Sequence, residues 1–136
     1  MGGVFPSEEW LEELNEHLNT DEEYAKIARK WEGDLVFDIL PSGALAERKL
    51  IYLDLWHGKC KDAYFINDED PEAAFVLQAP FDNFVRILTG DLDPMQAMMT
   101  RKLKVKGSMV YMMRNVPTVL KFVRCAQDVT EHYLGE

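Results

Sequence analysis

The sequence GDLDPMQAMMTRKLKVKGSM, residues 90–109, changes its periodicity halfway and thereby predicts a helix followed by a strand. Asp93 is suited to the N-cap of that helix, and Pro94 stands at the first helical position, where proline is favoured. From Leu103 onward apolar residues alternate with lysines, which indicates a strand with one apolar and one basic face. Gly107 ends this strand. The stretch therefore belongs to a chain that mixes helices and strands.

Two amphipathic helices are predicted before the first strand. Ser7 fits the N-cap of the first helix. Thr20 is expected to open the second helix through a capping box with Glu23, and Gly33 is expected to end it. The apolar stripe of the first helix contains Trp10, Leu11, Leu14 and Leu18, and that of the second contains Tyr24, Ile27, Ala28 and Trp31.

Residues 34–79 follow the two-residue period of β-strands. Four strands are predicted, at residues 34–40, 48–56, 60–66 and 73–79, and short polar turns separate them. We expect the first strand to have one solvent-exposed face, and the tight turns indicate an antiparallel meander. The residues predicted to point into the core from the first two strands are Leu35, Phe37, Ile39, Ile51, Leu53 and Leu55.

The helical period returns after the fourth strand. A short helix starts near Phe81 and stops at Gly90, and a methionine-rich segment follows Gly107. The final helix begins near Asn115. The predicted fold is a single α+β domain over residues 1–136, in which a five-stranded, mainly antiparallel sheet carries its helices on one face.

The composition excludes several functional classes. The net charge is −9, which argues against a nucleic-acid partner, because phosphate binding depends chiefly on Lys and Arg. Apolar runs are too short to span a membrane, and the first residues do not have the pattern of a secretory signal, so a cytoplasmic location is expected. Cys60 and Cys125 are widely spaced, which favours free thiols over a disulfide or a metal site.

A search for catalytic motifs finds none. His17, His57 and His132 have no partner at a metal-binding spacing, and no serine stands in a nucleophile elbow. The chain also has no glycine-rich phosphate loop, and the acidic turn at residues 68–70 lacks the pattern of a calcium loop. We therefore predict that the protein is not an enzyme and uses neither a cofactor nor a metal.

Two features of the second half permit more than one interpretation. The methionines either fill an ordinary core or line an apolar surface that adapts to its ligand. The basic run is either the solvent face of a strand or a contact for acidic head groups. The methionines are Met95, Met98, Met99, Met109, Met112 and Met113, and the basic run is Arg101, Lys102, Lys104 and Lys106.

Residues 90–109 resemble the signature of the sterol carrier protein-2 family. That signature has a Gly and a Pro before a helix of small and apolar residues, a G-K-L-K-I-K-G-D-M-like strand, and then a Met- and Leu-rich helix. The order of the predicted elements agrees with the family fold over most of the chain. Arg101 stands where the family usually has Gly, and Ser108 stands where it often has Asp.

The resemblance implies a hydrophobic tunnel between the sheet and the helices, which accepts fatty acids, fatty acyl-CoAs, sterols or phospholipids. The positions that match the family's tunnel are Met95, Met98, Met99, Leu103, Val105, Met109, Met112 and Met113. From their inward positions in the predicted elements we add Phe75, Leu77, Phe81, Phe84, Leu88 and Phe122 to this hypothesis.

The predicted function is therefore non-catalytic binding and transfer of a lipid or acyl-CoA ligand, with at most transient membrane contact. The helix over residues 117–133 is the predicted lid. An alternative is a protein-interaction or homodimerisation module that uses the last helix together with Tyr52 and Trp56. A small acyl-CoA thioesterase ranks lower, because it needs an Asp or Glu facing the pocket.

Overall fold

A computed structural model describes residues 3–136, so Met1 and Gly2, the first residues of the predicted domain, lie outside the described residues. The predicted α+β class with a five-stranded sheet is confirmed. The elements in chain order are β1 Gly3–Phe5, α1 Glu8–Thr20, α2 Glu22–Ile27, β2 Leu35–Leu40, β3 Lys49–Trp56, β4 Lys59–Ile66, β5 Phe75–Pro80, α3 Phe81–Thr89, α4 Pro94–Met99, β6 Lys104–Lys106, α5 Met109–Arg114, α6 Val116–Val129 and β7 Thr130–Tyr133.

The main sheet has the strand order β4-β3-β2-β5-β6. Neighbouring strands are antiparallel except β2 and β5, which pair in parallel. Only β2, β3 and β4 form the predicted meander, and the expectation that the fourth strand continues it is wrong. The reason is burial. Strand β4 carries three charged residues and has only one buried side chain, so it tolerates an edge, whereas β2 and β5 are mostly buried on both faces and shield each other at the centre.

The central position of β2 also corrects the prediction of a solvent-exposed face. Val36 is fully buried and packs with Leu50 and Val76 from the two neighbouring strands. Asp38 is buried on the same face and is held by hydrogen bonds from side chains of the sheet region. The flanking strands therefore exclude water from a face that the alternating pattern predicts to be wet.

The helices cover the opposite face of the sheet, as predicted. The inward residues of β2 and β3 join one large core with residues from every helix. By contrast, the cluster around Val36 contains residues of the sheet and the adjacent Ala73, with no helical residue among those described. The large core thus lies between the sheet and a single layer of helices.

The first two helices begin at different kinds of cap. The Ser7 hydroxyl accepts a hydrogen bond from the backbone N–H of Trp10, as predicted. The predicted cap at Thr20 is wrong: its hydroxyl donates to the carbonyl of Glu16 in the last turn of α1, and the Asp21 carboxylate caps α2. Helix α2 ends at Ile27 rather than near residue 33.

The C-terminal segment departs from the predicted helix over residues 117–133. Helix α6 ends at Val129, and β7 then pairs in parallel with β1. Thr130 stabilises this arrangement because its hydroxyl accepts a hydrogen bond from the indole N–H of Trp10 at 2.7 Å. The partner strand, more than 120 residues away in sequence, ends the helix, and no local pattern could have indicated it.

Candidate functional site

An apolar cavity lies between the helix-covered face of the sheet and the helices. Its free volume is about 70 Å³. The residues that line it are Phe5, Trp10, Tyr24, Trp31, Leu35, Phe37, Leu55, Leu77, Phe84, Ile87, Leu88, Pro94, Met98, Leu103, Met112, Thr118, Val119, Phe122, Val123 and Ala126.

The sheet and the helices α3 and α6 form most of the cavity wall. Alternate residues of the strands, such as Phe37 and Leu77, point to the helix side because strand side chains alternate between faces. Helix α6 contributes residues 118, 119, 122, 123 and 126, a spacing that puts all five on one face of a helix. A single rigid helix therefore forms one complete side of the cavity.

Aromatic residues from the first part of the chain also line the cavity. Trp10 and Trp31 have their indole N–H groups satisfied, by Thr130 and by the carbonyl of Gly33, so their rings can border apolar space. Burial raises the pKa of the Tyr24 hydroxyl, which stays neutral. Sequence reasoning assigned these residues to the inner faces of helices, but nothing local indicated that a cavity would reach them.

Half of the sequence-predicted site residues border the cavity. They come from β5, α3, α4, α5, α6 and the segment before β6, so the tertiary fold brings together positions that are up to 45 residues apart. These residues are Leu77, Phe84, Leu88, Met98, Leu103, Met112 and Phe122.

Five predicted residues are packed elsewhere in the core. Phe75 lies against the rings of Trp31 and Tyr111, and Phe81 stacks on Phe5. Their own aromatic contacts thus occupy the space that a ligand would need. The three remaining residues are half-buried at the edge of the core: Met95, Val105 and Met109.

Two predicted site residues point to solvent and do not line the cavity, so the structure does not support their assignment to it. Met99 is 67% exposed and Met113 is 46% exposed. Each directly follows a buried methionine, Met98 or Met112, that lines the cavity. Successive residues of a helix project about 100° apart, so only one of each adjacent pair faces the cavity.

The side chains that line the cavity carry no formal charge. Among the lining residues of the described chain, none is Asp, Glu, His, Lys or Arg. The hydroxyl of Thr118, which is buried, donates to the backbone carbonyl of Ile27 at 3.3 Å. The carboxylate that a thioesterase needs therefore does not border this space.

One cluster of potential metal ligands lies outside the cavity, between α1 and α6. Ligand atoms of His17, Asp21 and Cys125 lie within 4.8 Å of one another. The ammonium of Lys121 lies 3.6 Å from the Asp21 carboxylate and already supplies a positive charge. Burial, reinforced by Asp21, raises the pKa of the Cys125 thiol to about 12. With a protonated thiol and a resident cation, these residues form an ion-pair cluster that joins the helices.

Comparison with known proteins places this architecture in a family. The sequence matches the profile of the SCP-2 sterol transfer family over residues 11–119. The chain belongs to this family. The family resemblance of residues 90–109 is thereby confirmed, and so is the fold expected from it.

Solved structures agree with the family assignment. A crystal structure of sterol carrier protein 2 is 30% identical, with a TM-score of 0.83, and the match covers 91% of this chain and 98% of that one. A conserved hypothetical protein from Thermus thermophilus, described as possibly a sterol carrier protein, is 29% identical, with a TM-score of 0.85 and coverage of 96% and 94%. No curated protein matches the sequence significantly.

A third structure is more distant and shares the fold alone. Sterol carrier protein 2 from Aedes aegypti, solved in complex with palmitate, is 22% identical, with a TM-score of 0.54 and coverage of 85% and 91%. Within residues 3–136 of this SCP-2 family member, no helix has both the length and the apolar character to cross a membrane.

Proposed function

We propose that this SCP-2 family protein binds one apolar lipid chain in the cavity and releases it chemically unchanged. The observation that carries the proposal is a cavity lined without a charged side chain and enclosed by the sheet and helix α6. Membership of a sterol transfer family supports the ligand class, and so does palmitate binding by the Aedes aegypti protein of the same fold. An acyl chain needs only apolar walls, which this cavity supplies.

The energetics favour reversible binding. Transfer of each methylene group from water to an apolar site contributes about 0.8 kcal/mol, so a dozen methylene groups contribute roughly 10 kcal/mol. Loss of translational freedom and ordering of the chain offset a large part of this gain. The balance is an affinity that permits both uptake and release, as a carrier requires.

Ligand entry requires the cavity to widen. Its free volume of about 70 Å³ is small beside the roughly 300–1,000 Å³ of common ligand pockets. Helix α6 is the proposed moving element because one face of it forms a complete side of the cavity. Movement of α6 would separate the ammonium of Lys121 from the carboxylates of Asp21 and Glu23, which lie 3.6 and 3.5 Å from it and hold the closed arrangement.

Adjacent methionines provide a matched test. Met98→Arg places a charge in the cavity wall, whereas Met99→Arg places the same charge in solvent; Met112→Arg and Met113→Arg form a second pair. Affinity is measured by displacement of a fluorescent fatty acid by palmitate. We expect each inward arginine to weaken binding by about tenfold or more, since an unpaired charge is costly in an apolar site. The outward arginines should leave binding unchanged.

A second variant guards against loss of folding. Ala126 borders the cavity, so Ala126→Phe fills it with apolar atoms and without adding charge. Circular dichroism identifies the variants that remain folded. Weaker binding by folded Ala126→Phe supports the proposal. Equal affinity across wild type, the inward arginines and Ala126→Phe would locate the ligand elsewhere.

The dimerisation module is the second candidate, because large apolar side chains are exposed on the outside of the helical layer. Of the two aromatic residues first assigned to that role, Trp56 is exposed and Tyr52 is less available. Tyr52 is half-buried and donates a hydrogen bond to Asp34, and Trp56 packs against His57. Light scattering over a range of protein concentrations distinguishes a dimer from a monomer. The cytoplasmic location stays a prediction.

A further inference from the structure

The charges of this acidic chain are strongly segregated along the sequence. Residues 94–127 contain seven of the fifteen Lys and Arg residues and none of the 24 Asp and Glu residues. This segment therefore carries a charge of +7, and the remainder, with eight basic and 24 acidic residues, carries −16. The segment includes α4, β6 and α5 and most of α6.

Most of these cations face solvent without a partner. The five that precede α6 are exposed, and none forms an ion pair with a carboxylate within residues 3–136. Lys121 and Arg124, on α6, instead pair with neighbouring acids. The five cations available for an external anion are Arg101, Lys102, Lys104, Lys106 and Arg114.

The same segment also exposes apolar side chains. Met98 lines the cavity and its neighbour Met99 is exposed; Met112 and Met113 repeat this arrangement on α5. Val110, also on α5, is 61% exposed. The helices that close the cavity therefore present apolar side chains to both the cavity and the solvent. Exposed apolar side chains in the same segment as unpaired cations fit a partner that has both an apolar phase and anionic groups.

Arg101 adds a backbone observation. Its φ is +62°, in the left-handed region that residues with a Cβ disfavour. The side chain is exposed and has no ion pair in the described part of the chain. A cation is thus held at a position where its backbone geometry favours glycine, which points to a role for the charge outside the folded core.

We propose that this surface docks onto the anionic face of a phospholipid bilayer. The docking face consists of Met99, Arg101, Lys102, Lys104, Lys106, Val110, Met113 and Arg114. Its cations would lie at the phosphate groups, while its methionines and Val110 enter the apolar edge of the head-group layer. An acidic protein or a polyanion would match the charges but offer no apolar phase for these side chains.

Docking would also orient the molecule. Helix α1 begins with Glu8 and Glu9 and belongs to the acidic part of the chain, so an anionic surface repels it. The docking face belongs to the segment that contributes Met98, Leu103 and Met112 to the cavity wall, so docking brings this part of the wall to the membrane. Use of this contact for lipid exchange rests on the proposed function, whereas docking itself does not.

Vesicle co-sedimentation tests the charge requirement. Wild-type protein should bind vesicles that contain phosphatidylglycerol, release them at high salt, and bind pure phosphatidylcholine vesicles far more weakly. Lys102→Glu with Lys104→Glu should lower partitioning about tenfold or more. Lys59→Glu with Lys61→Glu changes the net charge equally at β4, outside the docking face, and should have a much smaller effect. Equal losses in both double variants would overturn the proposal.

A second comparison tests the apolar requirement. Met99→Ser with Met113→Ser should weaken vesicle binding even at low salt, while Trp56→Ser, an exposed apolar residue elsewhere, should not. Loss with the lysine variant alone would identify a simple anion site and overturn bilayer docking. Absence of vesicle binding, or occupation of the face by a second copy of the chain in light scattering, would also overturn it.

Fatty-acid affinity without vesicles separates this inference from the proposed function. The docking-face variants should bind fluorescent fatty acid like wild type, because none of the substituted residues lines the cavity. Vesicle binding with no fatty-acid binding would leave docking intact and contradict the carrier function. Fatty-acid binding with no vesicle binding would support the carrier function and contradict docking.

Discussion

At the scale of single residues, Arg101 shows how one substitution departs from the family pattern. It follows α4, whose C-cap is Thr100, and adopts the left-handed conformation common after a helix end. Glycine, which the family usually has here, adopts this conformation without steric cost. Arginine therefore lowers stability at this position.

We expect Arg101→Gly to raise the free energy of unfolding by about 0.5–1 kcal/mol, because relief of the left-handed strain exceeds the added chain entropy of glycine. Urea denaturation measures the change. Arg101→Ala is the control, since it removes the charge but keeps the Cβ, and it should give no gain. Equal stabilisation by both variants would attribute the effect to charge rather than to backbone conformation.

A second residue-scale feature lies on the outer face of the sheet. Arg48 donates two hydrogen bonds of 2.7 Å to the buried carboxylate of Asp38, and Gln78 donates a third of 2.9 Å. Burial acts to raise the pKa of Asp38, but the hydrogen bonds from Arg48 and Gln78 outweigh it and hold the pKa below its ordinary value. The carboxylate therefore stays charged inside the sheet.

Arg48→Met should lower the free energy of unfolding at neutral pH by about 2–3 kcal/mol. Removal of one partner of a buried pair is costly, and the 31% exposure of Arg48 moderates the loss. Urea denaturation measures it. Arg48→Lys keeps a positive charge but not the paired hydrogen bonds, so its free energy of unfolding should lie between those of wild type and Arg48→Met. A loss below about 0.5 kcal/mol would show that water replaces the arginine.

The ion pair of Asp38 and Arg48 should also make the free energy of unfolding depend on pH in the acid range. The folded-state pKa of Asp38 lies below its unfolded value, so its contribution is present above the unfolded pKa of about 3.9 and is lost as the pH falls through the folded pKa. In Arg48→Met the carboxylate loses its cation, so stability should fall less on acidification than in wild type. Denaturation at pH values around and below 4 tests this. Parallel pH profiles would contradict the assignment.

At the scale of elements, Asp21 connects three helices. Its carboxylate accepts a hydrogen bond from the N–H of Tyr24 and so caps α2, which follows directly on α1. Its second oxygen lies 3.6 Å from the ammonium of Lys121 on α6. The backbone hydrogen bond from Tyr24 is the largest cause of the lowered pKa of Asp21, and Lys121 adds to it. One carboxylate thus serves a cap and an ion pair.

We expect Asp21→Ala to destabilise the protein by about 1–2 kcal/mol through loss of the cap. Asp21→Asn keeps a capping oxygen but loses the charge, so it should cost less than Asp21→Ala. The stability that Asp21→Asn loses relative to wild type measures the ion pairs. Thr20→Ala is the matched control, because its hydroxyl only bonds within the last turn of α1. Thermal unfolding ranks the three variants. If Thr20→Ala costs as much stability as Asp21→Ala, the result would support the capping box at Thr20 that the sequence predicts.

At the scale of the whole molecule, the two cysteines report whether the cavity wall opens. Burial is the main cause that raises the thiol pKa of Cys60, on β4, and of Cys125, on α6, to about 12 in each case. Both side chains are buried, so a thiol reagent reaches them only after the structure opens. Movement of α6 alone would expose Cys125 and leave Cys60 protected.

In a Cys60→Ser background, palmitate should slow labelling of Cys125 by a thiol reagent. A ligand at 100 times its dissociation constant stabilises the form that binds it by about 2.7 kcal/mol, which lowers the population that exposes Cys125 by about 100-fold. The complementary Cys125→Ser protein reports Cys60, whose labelling should respond less. Equal slowing of both thiols would indicate global unfolding and contradict α6 as the lid.

Local features of the chain were determined by the sequence itself. The caps at Ser7 and Asp93 and the inward residues of β2 and β3 are as predicted, because each depends on neighbours within one or two turns or on the two-residue period. Residues 90–109 sufficed to predict the family. The α+β class followed from the order of these local patterns.

Tertiary structure alone decided what covers each face. Parallel pairing with β5 buries the side of β2 that alternation predicts to be wet, and pairing with β1 ends α6 before residue 130. Periodicity also could not distinguish Phe75, which is packed against other rings, from Leu77, which borders the cavity. The physical reason is that periodicity records which side chains share a face, whereas burial and empty space depend on the elements that pack against that face.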